Sequence, residues 1–252
     1  MDDVLRRLKP TRGFSSLVHN SLLLALPLII FALVRLNESQ FTQLAIALVV
    51  LSKWRMFAVR PRFWPANIRA NAIDLMVGIS IVLFMTHSGS TWVQFGWAIA
   101  YGCWLIYLKP ATSSLMISLQ AGIGQLCGLS ALYVAWAGGP LYGLMILTGL
   151  ICYLAARHFF DAFDESYSRL LSYMWGYFSS ALAWILGHWL LYYGVFAQPT
   201  VILTAIGYGV GAVYYWDHYD KLSISLRRQL MAVMLIILLV VIIFSDWGSK
   251  VV

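Results

Sequence analysis

The chain has 252 residues, of which 61% are hydrophobic and only 11% charged, against roughly 45–50% and about 25% in soluble domains. That much apolar surface cannot be hidden in one water-soluble core, which excludes a soluble enzyme, a disordered regulator and a disulfide scaffold. The net charge of +7 and pI near 9.4 therefore do not point to a soluble nucleic-acid binder, and no nucleic-acid partner is expected.

A bilayer-spanning helix takes about 20 mostly apolar residues. In chain order the sequence predicts nine such spans, at about 14–35, 41–59, 71–87, 92–108, 112–136, 140–159, 168–193, 199–216 and 228–246. Residues 1–13 form a short basic stretch ahead of the first span. The breaks carry turn chemistry: Asn37-Glu38-Ser39, His87-Ser88-Gly89-Ser90, Lys109-Pro110, Gly138-Gly139-Pro140 and Gln198-Pro199. No loop is long enough for a separate soluble domain. The expected fold is all-α: one polytopic helical bundle over residues 1–252. Each span is helical because lipid offers no partners to backbone N–H and C=O groups. Cys103, Cys127 and Cys152 lie inside apolar runs, where thiols act as small buried hydrophobes, so neither a disulfide nor a zinc site is indicated.

Lys and Arg counts set the orientation. With the N-terminus cytoplasmic and the C-terminus outside, fifteen of the seventeen basic residues face inward and only Arg35 and Lys250 face outward. Eight of the ten acidic residues are also on the inner side. The basic pI then records topology first and attraction to anionic lipid head groups second, at about 1 kcal/mol per basic residue near the surface. Trp54, Trp64, Trp104 and Trp216 at the inner boundary, and Trp92, Trp136, Trp189 and Trp247 at the outer one, read as aromatic belts. Ala98-Ile99-Ala100-Tyr101-Gly102 in span four resembles Ala205-Ile206-Gly207-Tyr208-Gly209 in span eight, a faint suggestion of internal repetition.

Three polar segments could carry chemistry. The first runs from Arg157 to Glu165. On a helix, Arg157, Asp161 and Asp164 share one face. Asp161, Asp164 and Glu165 could hold a divalent ion bridging to phosphate, or the segment could be an interfacial helix end with an Arg157–Asp161 pair. The second is Trp216-Asp217-His218-Tyr219-Asp220-Lys221 on the same membrane face. Asp217 either joins the first cluster as a weak metal candidate or lies in a solvated loop. The third is the end of span two. Either the span stops near Leu51 and Lys53 to Arg62 lies in the interface, or Lys53 or Arg55 sits in a polar cavity facing an anionic substrate or Asp74. A charge at bilayer depth needs such a partner or a route to the surface.

Inside the hydrocarbon region polar residues are few. Gln120 and Gln125 in span five either hydrogen-bond between helices or present amides to a solute along a glycine-lined passage with Gly122, Gly124 and Gly128. Gly124 and Gly128, like Gly207, Gly209 and Gly211 in span eight, make small faces that let helices approach. His19, Asn20 and His188 read as interfacial hydrogen bonders. No Asp or Glu stands mid-span, which argues against an ion-coupled pump.

In shape the arrangement is similar to the UbiA-type prenyltransferases: nine spans, N-terminus inside, polar cytoplasmic loops after spans two and six. That resemblance implies two acidic motifs. The first would fall at 67–74, where this chain reads Asn-Ile-Arg-Ala-Asn-Ala-Ile-Asp with one acid. The second would fall at 161–165, where three acids stand.

The leading expectation is a non-enzymatic multi-pass protein of a bacterial plasma (inner) membrane, permease-like or accessory. It would handle a small or amphiphilic molecule through Lys53, Arg55, Arg157, Gln120 and Gln125, without a cofactor. The alternative is a lipid-phosphate or prenyl transferase using Mg at Asp161, Asp164, Glu165 and Asp217. A structural subunit, with span nine facing a membrane-protein partner or a second copy, is the third.

Overall fold

The computed structural model of the protein describes residues 12–36, 39–136, 138–188, 192–193 and 195–245, with side chains described from Leu24 onward apart from Ser39, Tyr192 and Tyr193. The basic N-terminal stretch, the side chains of His19 and Asn20, and Trp189, Trp247 and Lys250 lie outside the described residues.

Helix accounts for 83% of the described residues. The α-helices in chain order are α1 (Arg12–Arg35), α2 (Ser39–Leu51), α3 (Trp64–Ala70), α4 (Ala72–His87), α5 (Thr91–Cys103), α6 (Ser114–Trp136), α7 (Leu141–Asp161), α8 (Ser168–Gly187), α9 (Gln198–His218) and α10 (Ile224–Phe244). Two 3-10 turns, Trp54–Met56 and Pro61–Phe63, link α2 to α3, and a π-turn, Trp104–Leu108, extends α5. A two-residue antiparallel ladder pairs Tyr192 with Ala197 and Tyr193 with Phe196 before α9.

Each predicted span overlaps a helix, but the α-helices at spans two and four have only 13 residues each, and spans two and seven end early. Span two ends at Leu51 rather than residue 59. Its 13 residues reach about 20 Å at 1.5 Å per residue, less than the roughly 30 Å of a hydrocarbon core. Span seven ends at Gly187, after which His188 turns its ring back onto the Trp184 carbonyl at 2.7 Å, and the short ladder replaces the helix predicted to residue 193. Among the described residues α6, α7 and α10 are individually long and apolar enough to cross a bilayer, and Pro61–Ala70 with α4, bent by 65°, makes a fourth as a broken span.

The packing explains why α4 is apolar all round. It contacts α1, α2, α5, α6 and α7, and its Ile73, Val77, Ile81, Val82 and Met85 form the centre of the main core. Ile30 and Val34 of α1, Val49 of α2, Tyr101 of α5 and Ala155 of α7 close around them. The approach of α2 and α5 to α4 depends on Gly78: a Cβ there would lie 2.6 Å from Val49 Cγ1 and 2.8 Å from the Tyr101 hydroxyl oxygen. Gly124 and Gly128 serve as the small faces expected, each accepting an isoleucine, Ile73 from α4 and Ile151 from α7. α10 packs against α9 and keeps most of its surface outward.

Besides the mid-bundle contacts of Gln125 and Ser180, several long-range polar contacts lie at the two ends. Arg35 donates to Thr91 and Gln198 to Ser245 at one end. Lys53 meets Asp74, Ser114 meets Tyr219, His158 meets Gln120 and Tyr214 meets Glu165 at the other. Each contact joins residues that the charge asymmetry assigns to one face. The two similar pentapeptides are not equivalent in environment, since Tyr101 is buried and Tyr208 exposed. Cys152 is buried, but Cys103 is exposed, contrary to the expectation for all three thiols.

Candidate functional site

The most unusual chemistry lies where the end of α2, the start of α4 and the π-turn after α5 meet. Asp74 is in the first turn of α4, where a helix N-terminus favours a carboxylate, and it is buried. Trp104 Nε1 donates to its Oδ1 at 2.9 Å. Lys53 and Lys109 both bring their ammonium groups to its Oδ2, Lys109 at 2.8 Å. The Lys53 side chain is 8% exposed and that of Lys109 34%.

Local structure assembles this cluster. α2 stops at Leu51 and the chain passes into a 3-10 turn, which turns Lys53 back under the bundle. On a regular α-helix Trp104 and Lys109, five residues apart, would be about 140° apart around the axis. The π-turn closes with Lys109 N–H donating to the Trp104 carbonyl at 2.9 Å, so the two residues stack on one side. π-turns of this kind are frequent at functional sites. The result is one carboxylate facing two cations, a locally positive site in a low-dielectric setting.

Both accounts of span two thus hold in part. The helix ends at Leu51, and Lys53 does meet Asp74, but Arg55 points away and is exposed. Trp104 is 3% exposed, so it is an interior donor rather than a member of the inner aromatic belt. Trp54 and Trp64 remain outward. The elbow between α2 and α4 is otherwise basic and aromatic at its surface. Phe57 and Trp64 meet edge to face at 5.6 Å, Trp64 Nε1 donates to the Val59 carbonyl at 3.0 Å, and the Arg62 guanidinium sits 4.5 Å from the Phe63 ring centre. Arg55, Arg60 and Arg62 are exposed between these rings.

The two acidic segments do come together, through aromatic rings and a single carboxylate, that of Glu165. Tyr214 of α9 packs against Phe159, Phe160 and Phe163, and His218 against Phe163. The Tyr214 hydroxyl donates to Glu165 Oε2 at 2.5 Å. That bond, with the Tyr167 N–H, holds the Glu165 carboxyl below the usual glutamate range. Arg157 is buried, donating to Ser168 at 2.6 Å and pairing with Asp161 at 3.1 Å. Asp164 occupies a turn at φ 49°. Asp164 and Asp217 are exposed. Among the described residues no group of three or more His, Cys, Asp or Glu side chains is placed to hold a metal ion.

Gln120 and Gln125 are cross-braces. Gln120 Nε2 donates to the carbonyls of Leu108 and Ala111 at 2.6 and 3.0 Å. Its oxygen is thereby left to accept from His158 Nε2 at 3.0 Å. Gln125 Nε2 donates to the Leu203 carbonyl at 3.0 Å, and Trp175 Nε1 donates to its oxygen at the same distance. Each amide joins α6 to two other parts of the bundle and has partners for both ends, as buried polar groups require.

Two depressions stand out. One, of about 460 Å³, is polar and lies at the opposite end of α4 from Asp74, among Arg35, His87, Ser88 and Gln94. The other, of about 450 Å³, is an apolar groove between α7 and α8. Neither runs past Gln120 or Gln125. No protein-family model, curated protein or solved structure matches this chain.

Proposed function

We propose that this is a multi-pass membrane protein of accessory or permease-like type, not an enzyme, that engages an anionic amphiphile by its head group at the cytoplasmic boundary. The membrane is read as a bacterial plasma membrane, entered by the nine predicted segments with the N-terminus inside, α2 reaching only part of the way across. The positive-charge asymmetry and the polar contacts at the two ends support that topology.

One observation carries the functional reading. The basic elbow of residues 52–71 is fastened to the bundle by a buried carboxylate shared between two lysines, and its outer surface interleaves Arg55, Arg60 and Arg62 with Trp54, Phe57, Phe63 and Trp64. Arginine suits phosphate as a fork of donors, and amphipathic aromatic rings settle at head-group depth. An elbow held rigidly in that layer presents a fixed array of donors rather than a loose basic tail.

The test is lipid retention. The protein is purified from vesicles containing equal phosphatidylglycerol and phosphatidylcholine, and the co-purifying lipid is counted by native mass spectrometry. The expected result is retention of phosphatidylglycerol in excess, reduced at least tenfold by Arg60→Gln with Arg62→Gln, since two basic residues contribute about 2 kcal/mol near an anionic surface. Equal retention of the two lipids would sink the proposal.

A further inference from the structure

The polar depression of about 460 Å³ lies where three helix ends meet. α1 and α4 finish there, with Arg35 and His87 as their last residues, and α5 begins there at Thr91. A helix C-terminus favours a cation and a helix N-terminus an anion, so the end of α4 and the start of α5 give the site two unlike sides.

The side chains sharpen that division. The last carbonyls of α4 are already taken. Thr86 donates to Val82, His87 Nδ1 to Leu83, Ser88 to Phe84 and Gln94 Nε2 to Met85, at 2.9, 2.9, 2.6 and 3.1 Å. Gln94 Nε2 also donates to the Ser88 carbonyl at 2.9 Å, which uses both of its N–H groups and fixes the amide. Gln94 is only 9% exposed, and its Oε1 is buried with no hydrogen-bond partner. A buried acceptor left unpaired is rare and asks for a donor. The His87 ring is constrained in the same way. A carbonyl only accepts, so Nδ1 carries the proton, and the neutral ring leaves Nε2 as a second acceptor. The third group is Arg35. It is exposed, donates to Thr91 Oγ1 at 2.9 Å and pairs with no carboxylate among the described residues. No side chain caps the first turn of α5 beside it.

Two acceptors and one permanent cation are selective. A simple anion would satisfy Arg35 and leave both acceptors unpaired. A simple cation would meet the acceptors and be repelled by Arg35. A molecule that carries a primary ammonium and an anionic oxygen group satisfies all three. We infer that this depression binds a small zwitterion of that kind, its ammonium donating to Gln94 Oε1 and His87 Nε2 and its carboxylate or phosphate held by Arg35 at the start of α5. The volume falls within the roughly 300–1,000 Å³ of small-molecule sites. Two sources offer this chemistry: a free amino acid or aminoalkyl phosphate, and the head group of phosphatidylethanolamine. The site lies at the opposite end of α4 from the basic elbow, and it stands or falls without the elbow's binding of an anionic amphiphile.

The test is calorimetric titration of the full chain in dodecyl maltoside micelles with ethanolamine phosphate and with glycine. At least one of them is expected to bind saturably. Phosphocholine and trimethylglycine, which lack N–H groups, and inorganic phosphate, which lacks the ammonium, are expected to bind at least about tenfold more weakly, as loss of a charged hydrogen bond implies. Arg35→Gln should weaken zwitterion binding about tenfold, and Arg35→Lys should weaken it less. A Cβ on Gly89, which also lines the depression, would meet nothing within 4 Å. Gly89→Phe therefore adds bulk there without a clash, and is expected to abolish binding while leaving the melting temperature unchanged. Competition by dioctanoyl phosphatidylethanolamine assigns the site to a lipid head group, and failure to compete assigns it to a soluble zwitterion; either supports the site. It is overturned if neither zwitterion binds saturably, or if phosphocholine or inorganic phosphate binds equally well. Binding indifferent to both Arg35→Gln and Gly89→Phe overturns it as well.

Discussion

Replacing Asp74 with asparagine would remove the one negative charge that Lys53 and Lys109 share. The side chains of Asp74 and Lys53 are each under a tenth exposed, so neither ion is solvated by water when its partner is lost. Lys109 is a third exposed and can extend its ammonium toward the interface, which confines the damage to Lys53. Breaking a buried pair by removing one partner costs about 3–5 kcal/mol, and the escape open to Lys109 places the expectation near the lower end, about 3 kcal/mol, or roughly a hundredfold in the folding equilibrium at 1.36 kcal/mol per decade. Removing both buried charges, as in Lys53→Met with Asp74→Asn, should restore stability to within about 1 kcal/mol of wild type, because a well-packed apolar replacement for a buried pair is often neutral. The assay is unfolding in mixed micelles, followed by helical circular dichroism, for the two single variants and the double. An Asp74→Asn variant within about 1 kcal/mol of wild type, or a double variant less stable than Asp74→Asn alone, would refute the argument that this cluster is an interdependent buried unit.

Other consequences follow from particular contacts. Gly78→Ala would drive a methyl group into Val49 and the Tyr101 hydroxyl and should cost about 1–3 kcal/mol as overpacking. Gly96→Ala, with nothing within 4 Å, should be neutral or stabilising in the same unfolding assay. Gln125→Leu would strand the Trp175 N–H and the Leu203 carbonyl and should lower stability by about 1 kcal/mol, as for other hydrogen bonds between membrane helices, while leaving phosphatidylglycerol retention unchanged. Glu165 titrates lower folded than unfolded because Tyr214 and the Tyr167 N–H bond its carboxylate. Its stabilising contribution is therefore complete above the unfolded glutamate pKa of about 4.3 and is lost as pH falls through the lower folded value. Amide exchange in residues 157–168 should accelerate as pH drops below about 4 after correction for intrinsic rates, and Glu165→Gln should remove that dependence.

Much of the helical layout was legible because apolar runs broken by Gly, Pro and Asn leave little choice in the placement of helices. The boundary at Leu51 was legible as one of two options, because Met56 to Val59 continue the apolar run beyond the basic residues; that at Gly187 was not, since Trp189 to Leu191 continue the apolar run. Lys53 and Asp74 could be paired in sequence only as one option, because 20 residues with a 65° bend intervene. Lys109 and Trp104 gave no signal of their own. Their convergence depends on a π-turn, and on a regular helix the same five-residue spacing separates them. The Gln120 and Gln125 braces illustrate a different limit: a glutamine in an apolar span reads alike whether it faces a solute or a carbonyl. The acidic segments were placed near each other correctly by topology, but the residues that join them are Phe163, Tyr214 and His218, which in an aromatic-rich sequence do not stand out.

The central claim is that the elbow of residues 52–71 lies in the head-group layer on the cytoplasmic side, held there by the Lys53–Asp74–Lys109 cluster. It is tested most directly by the membrane depth of a spin label at Val59→Cys, in a background lacking Cys103, Cys127 and Cys152, reconstituted in phosphatidylglycerol-containing vesicles. The account predicts a label at phosphate depth that moves outward into water when Asp74 is replaced by asparagine. A label fully accessible to aqueous relaxants in the wild type, or at a depth indifferent to Asp74, would contradict it.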